Sequence, residues 1–594
     1  MSGNVVIATS NATNPAGQNG DIFVNAPVSW TSSNSLTLSA LRDINVNAPV
    51  SWNSGGSLTL SAVRDINVNT SISWDSSNSP ALSALRDINV NASISWSSAS
   101  QLTLSAFRNI NVYAGITNTG GAPVILQADN TGTGVGTVSF TPPSVAELSA
   151  ARTAAVPSSA LVTGSISTSG PVSIYYNPVS YTDPKTKSDS SGNPYSSFVI
   201  GGGPLTAYML VNNSQNLQNI NSNLTGTYAL GTDIAAGSMV PIGSSARPFV
   251  GILDGQNHTI SNAIIGGANS TGASDNNIGM FGAIGSPGVV QNLFLSNFTV
   301  TANSPGQFIG TLAGSNAGTI SNVNASGGTV SGGNLQGITA GGLVGQNGIL
   351  FNNNNSEANV RPLGAVASTS SAGTIQNSTA SVAVTVGDGC SGDCSGGMNV
   401  AGGLAGSNVA NSTISNSYAG RPVTGGSNST LGGLVGLNGL LSSPGFISNS
   451  YASAPVSSTG TNVSLGGLAG RNEVGSTIAT SFATGSVTDT ATANNRGNCS
   501  DSCTYVTAGG LVGQNYGVIG TDPTSTNATM PALNVTCTGG FTCATGNVTV
   551  GNGGTGGARS PARTMAGWVP CSRPAMPWGG TTATSAVCSA TTRE

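Results

Sequence analysis

Asp21, Asp43, Asp65, Asp87 and Asn109 recur at intervals of 22 residues, and Trp30, Trp52, Trp74 and Trp96 keep the same interval. Spacing held that strictly means one short unit occupies the same place in successive layers, which excludes most folds at once. In the copy from 43 to 52, Ile44, Val46, Ala48, Val50 and Trp52 are apolar at every second position. Asp43, Asn45, Asn47, Pro49 and Ser51 between them are polar or turn-forming. Period-two alternation makes a strand with one dry face and one wet face. The turn signal Asn53-Ser54-Gly55-Gly56 then leads into a second short strand at Leu58-Thr59-Leu60. One copy cannot bury its apolar face alone, whereas stacked copies bury a continuous one. The expectation is an all-β solenoid, a parallel β-helix with one 22-residue copy per turn and coils about 4.8 Å apart.

Stacking turns each repeated residue into a column. Trp30, Trp52, Trp74 and Trp96 are expected to form an inward aromatic ladder, the repeat core, and Leu41, Val63, Leu85 and Phe107 an aliphatic one at a corner. Arg42, Arg64, Arg86 and Arg108 each precede the Asp or Asn that opens the next strand, so two columns of opposite charge run side by side. Like charges stacked in a column repel, and both columns are therefore expected at a solvated corner where water and the neighbouring column screen them. The Asp column reads as a repeated corner and not as a cation or catalytic site, since every copy carries it and no other carboxylate joins it.

Composition narrows the functional classes. Only 6% of the 594 residues are charged and 84 are Gly, against about a quarter charged in an ordinary globular domain. The net charge of -4 leaves no basic patch for nucleic acid. No apolar run approaches a membrane span, so no membrane insertion is expected. A second kind of repeat follows. Gly341-Gly342-Leu343-Val344-Gly345-Gln346-Asn347 recurs from Gly402, Gly432, Gly466 and Gly509, with strand-like Ile414-Ser415-Asn416-Ser417-Tyr418-Ala419 and Ile447-Ser448-Asn449-Ser450-Tyr451-Ala452 between copies. A phosphate-cradling Gly loop would need a preceding strand, a following helix and usually a Lys, and these copies have none of them. The glycines are instead expected to allow tight packing and positive φ at a coil corner, with Leu and Val inward and Asn closing the turn or stacking on its neighbour.

These residues also carry a resemblance. The Gly-Gly-Leu-Val-Gly-Gln-Asn unit with Ile-Ser-Asn-Ser-Tyr-Ala resembles the GLUG motif of large bacterial surface proteins, and the stretch from Tyr228 to Ile260 is similar to the segment that precedes such repeats. The 22-residue block resembles the body of filamentous haemagglutinin-like adhesins. The resemblance implies a right-handed β-helix exported by two-partner secretion through an outer-membrane transporter. It also implies display on or shedding from a Gram-negative surface, where the protein mediates aggregation or attachment to host cells, abiotic surfaces or glycans. No catalytic residue transfers with the motif.

The expected organisation is a β-helix of 22-residue repeats over 1–145, a loop-rich insertion or joint over 146–207, a β-helix of Gly-Gly-Leu-Val-Gly repeats over 208–530, and an irregular tail over 531–594. One or two helical turns are expected over 144–152, and the charged run Thr182–Gly192 reads as a linker. The first 20 residues do not read as a signal peptide, and Trp568, Trp578 and the surrounding Arg and Pro residues break both repeats. The chain is thus expected to be an interior piece of a longer adhesin, a degenerate remnant being the alternative. Cys390 with Cys394, Cys499 with Cys503 and Cys537 with Cys543 are expected to close small loops as disulfides. Zinc is disfavoured because His258, the lone histidine, stands over a hundred residues from either spaced pair. The other reading of a β-helix, a polysaccharide-active enzyme, needs clustered carboxylates with basic residues beside them. Only Asp275 and Glu357 are charged between Asp254 and Arg361. A non-enzymatic protein without cofactor or metal is the expectation.

Overall fold

The computed structural model describes residues 2–9, 20–142, 163–181, 194–266, 276–351, 369–390, 397–440, 443–491, 506–520, 543–550 and 582–583. The chain forms two compact units, residues 1–212 with 226–232, and residues 213–225 with 233–594. Each is a parallel β-helix.

In the first unit each 22-residue turn folds into three strands. One coil contributes Ile44–Val46, Val50–Trp52 and Leu58–Ala62. The alternating run is interrupted at Asn47-Ala48-Pro49, where the chain turns a corner. Proline supplies no N–H for the ladder, so the interruption falls where it costs least. Burial still alternates through the bend, and Ile44, Val46, Ala48, Val50 and Trp52 all face inward. Each strand pairs in parallel with its counterpart one coil away, Ile44 with Ile66, Trp52 with Trp74 and Leu60 with Leu82. Fully burying such a side chain is worth about 1.5–3 kcal/mol, and the repeat stacks the same inward residue in coil after coil. Where Pro80 takes the place of Leu58, the third strand shortens to Ala81–Ala84.

The charged columns differ from the expectation. Asp43, Asp65 and Asp87 are only 9% exposed, because each carboxylate sits under the arginine of the next coil. The Arg64 guanidinium donates from Nε to Asp43 at 2.7 Å, and Arg86 and Arg108 repeat the bond to Asp65 and Asp87 at 2.6 and 2.9 Å. The two columns interlock across coils, so the neighbouring column screens the like charges as expected, while the carboxylates are less solvated than expected. The corner ladder is only partly covered: Val63 is 49% and Leu85 53% exposed.

Residues 146–207 are not a plain joint. Ser165–Ser167 and Val172–Tyr176 stack in register on Gly115–Asn118 and Val124–Gln127, and Val199–Ile200 and Leu205–Val211 stack on them in turn. The strands here carry the same inward alternation, as in Val172, Ile174 and Tyr176, but long intervening segments hide it in the sequence. The turns expected over 144–152 and the charged run Thr182–Gly192 lie outside the described residues.

The second unit opens with a short helix, Ser214–Asn219, whose first turn is capped by the Asn213 side chain accepting from the Asn216 N–H. Its coils then repeat Asn399–Gly402, Ala405–Asn408, Ser412–Ser415, Tyr418–Ala419 and Val423–Gly425. The glycines act by closeness, not by φ. A Cβ on Gly403 would lie 2.1 Å from the Gly433 carbonyl oxygen, and the backbone there is not left-handed. The left-handed corner belongs to the asparagine of Ile-Ser-Asn-Ser instead, with φ of 49° at Asn416 and 47° at Asn449. Asparagine tolerates that region better than most residues do. It splits the expected single strand in two.

Candidate binding surface

The side chains of the first unit sort into columns by the face they leave. Inside, the four indoles of Trp30, Trp52, Trp74 and Trp96 stack with centroids 5.1, 5.2 and 4.5 Å apart and planes within 9°. They are 2–4% exposed. Trp74 and Trp96 donate their Nε1–H to Ser100, at 2.9 Å to its hydroxyl and 2.8 Å to its carbonyl. Trp30 and Trp52 find no acceptor for the same group. The position that gives Trp74 the Ser100 hydroxyl is Gly56 for Trp30, which brings no hydroxyl, and Asn78 for Trp52, whose amide instead donates to the Gly55 carbonyl.

Outside, the first face carries asparagines bonded to one another along the solenoid axis: Asn67 to Asn45, Asn89 to Asn67 and Asn111 to Asn89, at 2.8–2.9 Å. That ladder uses up part of its own hydrogen-bonding capacity. The face bearing the tryptophans is different. The middle residue of each Val/Ile-Ser-Trp strand points out, and Ser29, Ser51, Ser73 and Ser95 fall into register with Thr117 and Ser167. Among the described residues these hydroxyls make no hydrogen bond to another protein group. Past the corner runs a second polar column of Thr31, Asn53, Asp75, Ser97 and Thr119, all exposed. Between the two columns runs a shallow open strip over the backbone of the tryptophan strands, whose indoles point the other way into the core. Sequence reading placed the tryptophans but missed this hydroxyl column, although the invariant serine before each tryptophan was its signal.

The charged groups of the unit are occupied. Burial by itself would raise the Asp43 carboxyl, but the bond from Arg64, the Asp65 N–H at 3.0 Å and the charges of Arg64 and Arg86 outweigh it and hold it below the usual carboxylate range. The bonds to their carboxylates push Arg64, Arg86 and Arg108 up in turn. Asp129, 1% exposed, accepts from Thr133, Gly134, Asn177 and Asn212 at 2.7–3.0 Å. Such groups serve architecture.

In the second unit the repeat motif builds its core from polar columns. Asn316, Asn347, Asn408, Asn438 and Asn472 are fully buried, and each amide donates to the next along the axis at 2.8–2.9 Å, ending at Asn515. A parallel serine column runs through Ser378, Ser417, Ser450 and Ser481; each hydroxyl donates to a carbonyl two residues back, the last three accept the N–H of the preceding coil's serine, and Ser378 accepts from the Val323 N–H. Tyr418, Tyr451 and Phe482 stack outside at 4.4 and 4.9 Å, where burial and then the Tyr418 neighbour push the Tyr451 hydroxyl up. Glu473 is the exception to neutrality. Burial pushes its carboxyl up despite the Arg471 guanidinium beside it, and Arg471 itself lies 5.1 Å over the Tyr516 ring.

Cys390 is buried and disulfide-bonded. Cys394, Cys499, Cys503 and Cys537 lie outside the described residues, as does the side chain of Cys543. His258 stands 3.2 Å from Asp233, which is largely exposed. Among the described residues no three His, Cys, Asp or Glu side chains converge as metal ligands would.

No known family model matches the chain. Halomucin of Haloquadratum walsbyi is 40% identical over 111 residues, which are 18% of this chain and 1% of that protein. A Gly-rich membrane protein of Evansella cellulosilytica is 38% identical over 84 residues, 14% of this chain and 9% of that one. The chain thus matches only a small fraction of the length of these curated relatives. Among solved structures, a protein assigned as an immunoglobulin A1 protease from Bacteroides ovatus aligns over 53% of this chain and 84% of its own, with 19% identity and a TM-score of 0.34. A second IgA1 protease structure aligns over 53% of this chain and 22% of its own, with 16% identity and a TM-score of 0.31. Likeness at that level carries nothing about activity.

Proposed function

We propose that this chain is the non-enzymatic, repetitive stalk of a cell-surface or secreted adhesin, holding its bearer to a host cell, an abiotic surface or a glycan coat. The observation that supports this reading most is the outer surface of the first unit, where the same uncharged side chains recur coil after coil in straight columns. Each coil offers a weak polar contact, and many equal contacts on one rigid rod add through avidity. Groups that could do chemistry are drawn into the architecture instead: Asp43, Asp65 and Asp87 into arginine pairs, Asp129 and Asp254 into amide networks. Export through an outer-membrane transporter partner belongs to the same reading.

The test is retention. Beads coated with the purified chain should be held under flow on epithelial cells, polystyrene or polysaccharide films, while beads coated with an unrelated β-helix should wash away. The same preparation should release no reducing sugar or unsaturated product from a polysaccharide panel. Retention no better than the control, or turnover of any polysaccharide, would sink the proposal.

A further inference from the structure

We infer that the interlocked arginine and aspartate columns of the first unit are an acid-released clasp, which loosens the coils that carry it while the second unit stays folded. This is a property of the fold and is independent of what the surface binds. Each rung of the clasp is held twice. Arg42, Arg64, Arg86 and Arg108 pair with the Asp one coil before, Asp21, Asp43, Asp65 and Asp87. Each of these carboxylates also accepts the backbone N–H of the residue stacked on it, Asp43, Asp65, Asp87 and Asn109 in turn, at 3.0–3.2 Å. One carboxylate therefore ties its coil to the next through both a side chain and the backbone. The ends of the column show what the charge is for. Asn109 closes it where the next coil offers Gly136 in place of an arginine, and its Oδ1 accepts the Thr137 N–H at 3.1 Å. Gly20 fills the arginine position of the first coil, its carbonyl accepting from the Arg42 N–H. An amide serves where no cation lies above, and a carboxylate stands only under a guanidinium.

Acid removes only one side of this arrangement, because guanidinium groups keep their charge where carboxylates lose theirs. Protonating the Asp column leaves four arginines stacked about 4.8 Å apart with no counter-charge between them. Burial raises the Asp43 carboxyl, but the Arg64 bond, the Asp65 N–H and the charges of Arg64 and Arg86 outweigh it and hold it low. Its contribution is therefore present above the ordinary carboxylate pKa of about 3.9 and is lost as the pH falls through the folded value. The neighbours of the clasp are neutral: apolar corner residues precede the arginines, and the asparagine ladder follows the aspartates. Asp129, whose N–H donates to the Arg108 carbonyl, turns its carboxylate to Thr133, Gly134, Asn177 and Asn212. Asp75 stands at the corner after Trp74. The second unit has no counterpart among the described residues. Its ion pairs, His258 with Asp233 and Arg471 with Glu473, stand singly. Its buried Asp254 and Asp489 accept from amides and a backbone N–H. The columns along its axis are Asn and Ser, which do not titrate in this range.

The test carries the full chain from about pH 6 to about pH 2. Hydrogen exchange is read as protection over the intrinsic rate at each pH, alongside the fluorescence of Trp30, Trp52, Trp74 and Trp96 in the clasped coils. Protection of Ile44–Val46 and Ile66–Val68 should fall about tenfold or more below the ordinary carboxylate range. Val435–Asn438 and Ala469–Asn472 should keep theirs, and the loss should reverse on return to the starting pH. Asp43→Asn/Asp65→Asn/Asp87→Asn combined with Arg64→Gln/Arg86→Gln/Arg108→Gln keeps the backbone acceptors, as Asn109 does, and discharges the interior rungs. Its coils should lose most of the acid-dependent drop. Asp65→Asn alone leaves Arg86 without its carboxylate at every pH. It should lower protection near neutral pH and shrink the drop, whereas Asp75→Asn, at an exposed position, should change neither. These single changes decide the matter where the combined variant does not fold. The clasp is refuted if wild-type coils keep their protection in acid or if both units open together. It is equally refuted if the discharged variant drops as far as wild type, or if Asp65→Asn behaves as Asp75→Asn.

Discussion

Asn438 is the sharpest place to test whether the second unit owes its stability to buried amide columns. Its Oδ1 accepts from Asn408 at 2.8 Å, and its Nδ2 donates to Asn472 at 2.8 Å and to the Gly445 carbonyl at 3.1 Å. The residue is fully buried, so no water replaces it. Asn438→Ala strips the donor from the Asn472 oxygen and from Gly445, and leaves the Asn408 amide with only a long 3.4 Å contact to the Phe446 carbonyl. A buried polar group left without its partner costs about 1–3 kcal/mol, and two to three such groups put the total near 3–6 kcal/mol. Asn515, the last rung, is only partly buried and has one neighbour in the column, at 2.8 Å. Asn515→Ala should therefore cost about 1–2 kcal/mol. Because a solenoid opens locally, the assay is native-state hydrogen exchange followed on the strands Val435–Asn438 and Ala469–Asn472. Asn438→Leu, which fills the space but not the bonds, should fall with alanine. If interior and terminal substitutions agree within about 0.5 kcal/mol, or if leucine matches wild type, the column is packing and not hydrogen bonding.

Other expectations concern the backbone and pH. Thr480 holds φ of 48° at the corner where Asn416 and Asn449 stand in other coils, so Thr480→Asn should raise stability by about 0.5–1 kcal/mol; a lower melting temperature would refute this. Gly403→Ala drives a Cβ to 2.1 Å from the Gly433 oxygen and 2.8 Å from the Ala419 Cβ. It should cost about 3 kcal/mol or more, whereas Gly3→Ala, with nothing within 4 Å, should be silent in thermal unfolding. The folded Asp43 carboxyl is held low, so its pairing stabilises above the ordinary carboxylate pKa of about 3.9 and is lost as acid carries the pH down through the folded value. The stability gap between wild type and Asp43→Asn should close in that window. Glu473 has the opposite sign, its folded carboxyl being raised. Ionisation at neutral pH then weighs against the fold, so Glu473→Gln should melt higher than wild type at pH 7 and lose that advantage as the pH falls into the ordinary carboxylate range. A constant difference across pH would refute the sign.

How much of this protein is local, and so legible without coordinates, follows from what a repeat records. The interval between Asp21, Asp43, Asp65 and Asp87 and the alternation from Ile44 to Trp52 are enough to determine parallel stacking and the inward tryptophans, because both express the geometry of one strand above another. The recurring Gly-Gly-Leu likewise implies coils of a second kind. Tertiary structure alone decided what depends on the neighbouring coil. Arg64 reaches Asp43 in the turn before it, so the two columns interlock, with the carboxylates buried and the guanidiniums partly exposed above them. Gly403 is small because of the Gly433 carbonyl one coil on, a contact that no local turn rule anticipates. Coils at Val172–Tyr176 and Leu205–Val211 escaped notice because the segments between them break the interval while leaving the register intact. The outer columns show the same division. Each Ser before a Trp is visible in the sequence, but a column of outward hydroxyls on the face opposite the stacked indoles exists only once the coils are stacked, since one coil contributes one of them.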